Sequence, residues 1–139
     1  MLTEAELLAM SDDDYMNDAQ KAFFKALLTE QKNELVEAIE SAKKELSTYE
    51  HNIDEGDIAS SQEMQQFHLR TVDRQSKLLR KINESIKNID TGDYGYCEET
   101  GEPIGIQRLL ARPTATLSVQ AKEIQEHQEK TLGSIRETE

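Results

Sequence analysis

The sequence predicts a mainly α-helical protein in which a long antiparallel coiled-coil hairpin projects from a small globular head. Three observations predict it. From Asn17 to Glu50, and again from Ile58 to Thr91, there is no glycine or proline. Between these runs lies one short acidic turn, His51-Asn52-Ile53-Asp54-Glu55-Gly56-Asp57-Ile58-Ala59. After Asp90 the texture changes, because Thr91–Gly105 holds four of the six glycines and one of the two prolines. Two long helix-forming runs about one turn signal read as a helical hairpin. At 1.5 Å per residue each arm is a rod of roughly 50 Å.

The elements follow in order. Thr3-Glu4-Ala5-Glu6 has the spacing of a capping box and opens a short helix through Ala9, with Leu7 and Leu8 as packing residues. Ser11-Asp12-Asp13-Asp14 breaks it. Asn17 then caps the first long arm, and Gln20 reaches back over the helix start. Along this arm Leu28, Leu35, Ala42 and Tyr49 recur every seven residues, with Ile39 and Leu46 between them. The second arm answers with Val72, Leu79 and Ile86, interleaved with Ile82 and Ile89. That alternation of three and four residues is a coiled-coil seam. In the same register Ser61, Gln65, His68 and Gln75 point inward, so the seam turns polar toward the tip.

The glycine-rich stretch marks tight turns around a small pair of strands near Tyr96. Ile106–Ala111 forms a helical turn, Arg112-Pro113-Thr114 ends it, and Thr114 caps a terminal helix carrying Leu117, Val119, Ala121 and Ile124. Phe23, Phe24, Leu27 and the N-terminal leucines complete the head. The organisation is therefore residues 1–32 as the N-terminal part of the head, 33–88 as the hairpin with its tip at 51–59, and 89–139 as a degenerate zinc-finger-like region with a C-terminal helix.

Composition limits function. A formal net charge of −12 opposes a broad DNA- or RNA-binding surface, which needs clustered Lys and Arg. Any role in nucleic-acid metabolism is expected to run through another protein. No apolar run approaches a membrane span and the start lacks a signal peptide, so a cytoplasmic protein is expected. A single cysteine excludes an internal disulfide.

Candidate chemistry is sparse. The layout around Cys97 is that of a C-x2-C-x17-C-x2-C zinc finger, but the four positions hold Cys97, Thr100, Ser118 and Ala121. Structural zinc needs four thiolate or imidazole ligands, so no metal is expected, and hydrogen bonds from Thr100 and Ser118 must hold the loops instead. Cys97 reads as a buried thiol in preference to a redox sensor. No nucleophile–base pairing or phosphate-binding loop is present, so the chain is not read as an enzyme. Lys77, Arg80 and Lys81 in the second arm, and Arg108, Arg112 and Lys122 in the head, are either a local positive pocket for a small polyphosphate or ordinary solvated side chains.

Four segments bring a known family into view. Asp14-Tyr15-Met16-Asn17-Asp18-Ala19-Gln20, the tip Asp54-x-x-Asp57-x-Ala59, Gly92-Asp93-Tyr94-Gly95-Tyr96-Cys97 and Gly105–Thr114 resemble the DksA/TraR family of bacterial transcription factors. The similarity runs from Asp14 to about Lys130. It implies a monomer that binds RNA polymerase without sequence-specific DNA contact. Its hairpin enters the secondary channel, and it acts with ppGpp in the stringent response to modulate initiation, for example by inhibiting ribosomal RNA promoters. By position, the resemblance implies Asp54, Asp57 and Ala59 as tip determinants and Arg74 as a contact to the polymerase rim. Leu78, Lys81, Arg112 and Lys122 are implied as the ppGpp-binding residues. The chain resembles the subset that lacks the four-cysteine site. The competing expectation is a Gre-like transcript-cleavage factor whose acidic tip holds magnesium.

Overall fold

The computed structural model describes the backbone of residues 1–51 and 58–138, and within these the side chains of residues 1–48 and 62–132. The elements are α1 (Glu4–Ala9), a single 3₁₀ turn (Asp12–Asp14), α2 (Asp18–His51), α3 (Ile58–Thr91), α4 (Ile106–Ala111) and α5 (Val119–Thr138). The fold is mainly helical, with α2 and α3 as the arms of a long helical hairpin. Among the described residues the strands expected near Tyr96 reduce to one antiparallel bridge, Tyr96 to Pro103.

The chain divides into two compact units, one of Met1–Lys25 with Lys87–Glu139 and one of Ala26–Ile86. In the second unit the seam is filled as its periodicity dictates. Leu28, Ile39, Ala42 and Ile82 are buried. Leu35, Leu46, Val72, Leu79 and Ile86 are half-buried. The Nδ1 of His68 lies 3.7 Å from a Glu45 carboxylate oxygen, pairing α3 with α2. Gln65, His68 and Gln75 do occupy half-buried seam positions. The Gln75 side-chain oxygen is sealed from water without a hydrogen-bond partner in the described structure. Such a group costs about 1–3 kcal/mol, so this part of the seam gives up stability to polarity.

The first unit is built from its helix starts. The Thr3 hydroxyl accepts the Glu6 N–H at 3.2 Å, which nucleates α1 and turns Leu7 inward. Leu8, expected to pack, is 52% exposed, because on so short a helix only one side meets α4. At α2 the Asn17 side-chain oxygen accepts the Gln20 N–H at 2.9 Å. The Gln20 side chain reaches back past Asn17 and accepts the Met16 N–H at 2.8 Å. Gln20 is buried together with Leu7, Met16, Phe24 and Leu109. Phe24 meets Phe23 edge-on at 5.3 Å and Tyr94 at 5.6 Å.

Thr114 does not cap the terminal helix. Residues 112–117 form turns, with the Ala115 N–H on the Arg112 carbonyl. The helix opens at Val119, where the Ser118 hydroxyl accepts the Ala121 N–H at 3.1 Å. Leu117 therefore lies outside α5, while Val119 and Ile124 are exposed on it. Lys25 and Asp90 close the first unit with a surface ion pair at 2.9 Å.

Candidate functional site

The turns around Cys97 are where sequence reasoning expects hydrogen bonds in place of a metal, and the structure draws the four positions together. The Cys97 N–H donates to Glu102 O and the Gly101 N–H returns to Cys97 O, each at 2.8 Å, closing a tight loop. Gly101 occupies that loop with φ +74°, a conformation that side chains disfavour. The Glu98 N–H crosses to Thr116 O at 2.9 Å, tying the loop to the segment before α5. The Cys97 thiol is buried. Hydrogen bonds from the Thr100 side chain and the Ser118 N–H pull its pKa down to about 6, against the opposing effect of desolvation.

The donor set does not suit zinc. It offers one thiol and two hydroxyls, and the fourth position is the methyl of Ala121, itself buried. The Ser118 hydroxyl is already committed to capping α5. Among the described residues no group of three or more His, Cys, Asp and Glu converges on a common point.

Tyrosines that periodicity does not single out do the remaining joining. The Tyr15 hydroxyl donates to Gly95 O and accepts the Gly105 N–H at 3.0 Å, so one side chain bridges both flanks of the loop. Its ring meets Tyr96 edge-on at 5.7 Å, and burial raises its pKa. Tyr94, buried beside Phe24, donates to Pro113 O at 2.7 Å, and burial pushes its pKa well up. Both tyrosines stand in the segments that carried the family resemblance, which was the available signal. Arg108, grouped by sequence with the positive residues, directs its Nε to Leu117 O at 3.0 Å and so also holds this framework.

The other candidate residues are distributed as follows. Asp54 and Asp57 lie outside the described residues, and Ala59 falls in α3 where side chains are not described. Arg74, Leu78 and Lys81 are exposed along α3 in the hairpin unit. Arg112 and Lys122 belong to the other unit. Arg112 ends α4 and lines a groove of about 840 Å³ with Leu7, Leu8, Tyr15, Ile106 and Arg108. Lys122 is half-buried and donates to the Gln125 side-chain oxygen at 3.3 Å.

Together these features define a class, the helical-hairpin proteins with zinc-finger-like loops, here in a form closed by hydrogen bonds. Comparison with known proteins narrows the class. Residues 20–89 match the family model described as DnaK suppressor protein DksA, N-terminal domain. Residues 92–127 match the prokaryotic dksA/traR C4-type zinc finger. The RNA polymerase-binding transcription factor DksA of Caulobacter vibrioides is 42% identical over 94% of this chain and 92% of its own length. Its namesake in Escherichia coli is 37% identical over 87% and 81%. The solved structure of transcription factor DksA2 from Pseudomonas aeruginosa is 51% identical, covering 92% of this chain and 99% of that one, with a TM-score of 0.86. The chain belongs to the DksA family.

Proposed function

We propose that this protein is a transcription factor, not an enzyme, that binds bacterial RNA polymerase and modulates initiation. The observation that carries this is near full-length similarity to relatives named for binding RNA polymerase. Such a protein works in the cytoplasm. No helix of the described residues is long and apolar enough to cross a membrane, which is compatible with that location. The net charge of −12 favours a protein partner over DNA, so no sequence-specific DNA contact is assigned. The chain acts as a monomer and without zinc, its loops relying on the Thr100, Ser118 and Tyr15 hydrogen bonds.

In this reading the hairpin enters the polymerase secondary channel with Asp54, Asp57 and Ala59 at its working end. Arg74 meets the channel rim. Leu78, Lys81, Arg112 and Lys122 hold ppGpp at the interface with polymerase. The cations Lys81, Arg112 and Lys122 supply the charge-assisted donors that a polyphosphate requires. Lys122 faces only the neutral Gln125 amide in the described structure, a partner that phosphate oxygens readily replace.

The test is transcription from a ribosomal RNA promoter with Asp57→Asn. Removing one tip carboxylate is expected to abolish inhibition while leaving the helical content and melting temperature unchanged. Undiminished inhibition would take the tip out of the mechanism. Rapid 3′-end cleavage in a stalled elongation complex would favour the Gre-like alternative.

A further inference from the structure

Packing of α1 against α4 leaves a groove of about 840 Å³, and every residue on its walls belongs to one compact unit. That volume is in the range of sites for small organic ligands. The walls are largely aliphatic. Leu7 and Ile104 are buried and Ile106 is half-buried, whereas Leu8 is 52% and Val119 50% exposed. Apolar side chains left open around a concavity are what a hydrophobic ligand covers. The guanidiniums of Arg108 and Arg112 stand on the same walls, four residues apart. The Arg108 Nε is held on the Leu117 carbonyl at 3.0 Å, which orients the fork and leaves its terminal nitrogens for an outside partner. Among the described residues neither guanidinium forms an ion pair. Asp12 is the one carboxylate on these walls.

We propose that this groove binds the anion of a straight-chain fatty acid, its alkyl chain along Leu8, Ile104, Ile106 and Val119 and its carboxylate on Arg108 and Arg112. Arginine forks match a carboxylate in bidentate geometry and stay charged at any physiological pH. A peptide suits the same walls poorly. The Ile104 and Gly105 N–H groups are already bonded, to Gly95 O at 2.8 Å and to the Tyr15 hydroxyl at 3.0 Å, and Pro103 has none. A peptide lying along this edge would bury amides without donors to meet them, whereas an alkyl chain needs none. A phosphate monoester would bring nearly two charges beside Asp12, and a carboxylate brings one. Arg112 apart, none of these residues enters the polymerase and ppGpp reading, so the inference is testable without polymerase.

The experiment is isothermal titration of the full chain with octanoate, decanoate and dodecanoate, each below its micelle concentration, paired with thermal circular dichroism. Saturable binding of one anion per chain is expected, tightening about fourfold for each added methylene that is buried. The melting temperature is expected to rise with dodecanoate concentration, because the ligand binds the folded state. Dodecanol, equal in chain length and uncharged, is expected to bind about tenfold more weakly, and Arg112→Gln to narrow that gap. Val119→Asp adds a carboxylate to the groove at the first residue of α5, where the helix dipole favours it. It is expected to weaken dodecanoate binding about tenfold and to leave the melting temperature of the free chain unchanged. Non-saturable uptake, a falling melting temperature, equal binding of dodecanol, or undiminished binding in Val119→Asp would overturn the inference. So would saturable binding of an apolar peptide with a free C-terminal carboxylate that dodecanoate fails to displace, because the groove would then belong to a protein segment.

Discussion

If hydrogen bonds replace a metal at the base of the loops, Tyr15→Phe is the sharpest way to damage them. The substitution keeps the ring, its edge-on contact with Tyr96 and nearly all of its volume. It removes one hydroxyl that serves two backbone groups 80 and 90 residues away in sequence. The two groups are not equally dependent on it. The Gly95 carbonyl also accepts the Ile104 N–H at 2.8 Å, so it keeps a partner. The Gly105 N–H loses the hydroxyl, but Gly105 is half-buried on the wall of the groove, where water can reach. One net hydrogen bond and one partly compensated donor amount to about 2 kcal/mol. For a unit of this size that lowers the melting temperature by about 8–16 °C. Differential scanning calorimetry or thermal circular dichroism reads it directly. A shift below about 2 °C, on the same scale, would show that the hydroxyl does not hold the loops.

Three further outcomes follow from the same unit. A Cβ at Gly95 (φ +91°) would lie 2.9 Å from the Met16 side chain, whereas at Gly92 (φ +88°) nothing lies within 4 Å. Gly92→Ala therefore carries conformational strain alone, about 1–2 kcal/mol, and Gly95→Ala a further 1–3 kcal/mol of overpacking, both measurable by urea titration. The Cys97 thiol is held near 6 in the folded chain and returns to about 8.5 when unfolded. Between these values the unfolded state binds the extra proton, so the stability of wild type relative to Cys97→Ala is expected to grow as pH rises from 6 to 9, and that pH-dependent part is expected to be lost below 6. A pH-independent difference would contradict that. Dialysis against a chelator is expected to leave the melting temperature unchanged, and one tightly held zinc per chain in elemental analysis would defeat the metal-free account.

What the sequence made legible is what local rules encode. The Thr3 and Asn17 caps act within a turn of their own helix starts, and the seam of α2 and α3 repeats over many turns, so both were visible without tertiary knowledge. Where partners are far apart in sequence the reading thinned. Tyr15 stood in a recognisable segment, but nothing local says that its hydroxyl reaches Gly95 and Gly105. The start of α5 was misplaced for a related reason. Thr114 is a good capping residue, but Tyr94 holds the preceding Pro113 carbonyl and Arg108 holds Leu117, so those residues form turns and Ser118 takes the cap. Leu8 shows the converse, since apolarity alone could not tell a packing residue from one on the rim of a groove.

We propose that this hairpin protein regulates transcription through RNA polymerase together with ppGpp. Multi-round transcription from a ribosomal RNA promoter, with purified polymerase and this protein added with and without ppGpp, tests it most directly. Inhibition by the protein alone is expected, with a larger effect when ppGpp is present. Transcription that stays unchanged in both conditions, with the protein folded and at saturating concentration, would contradict it.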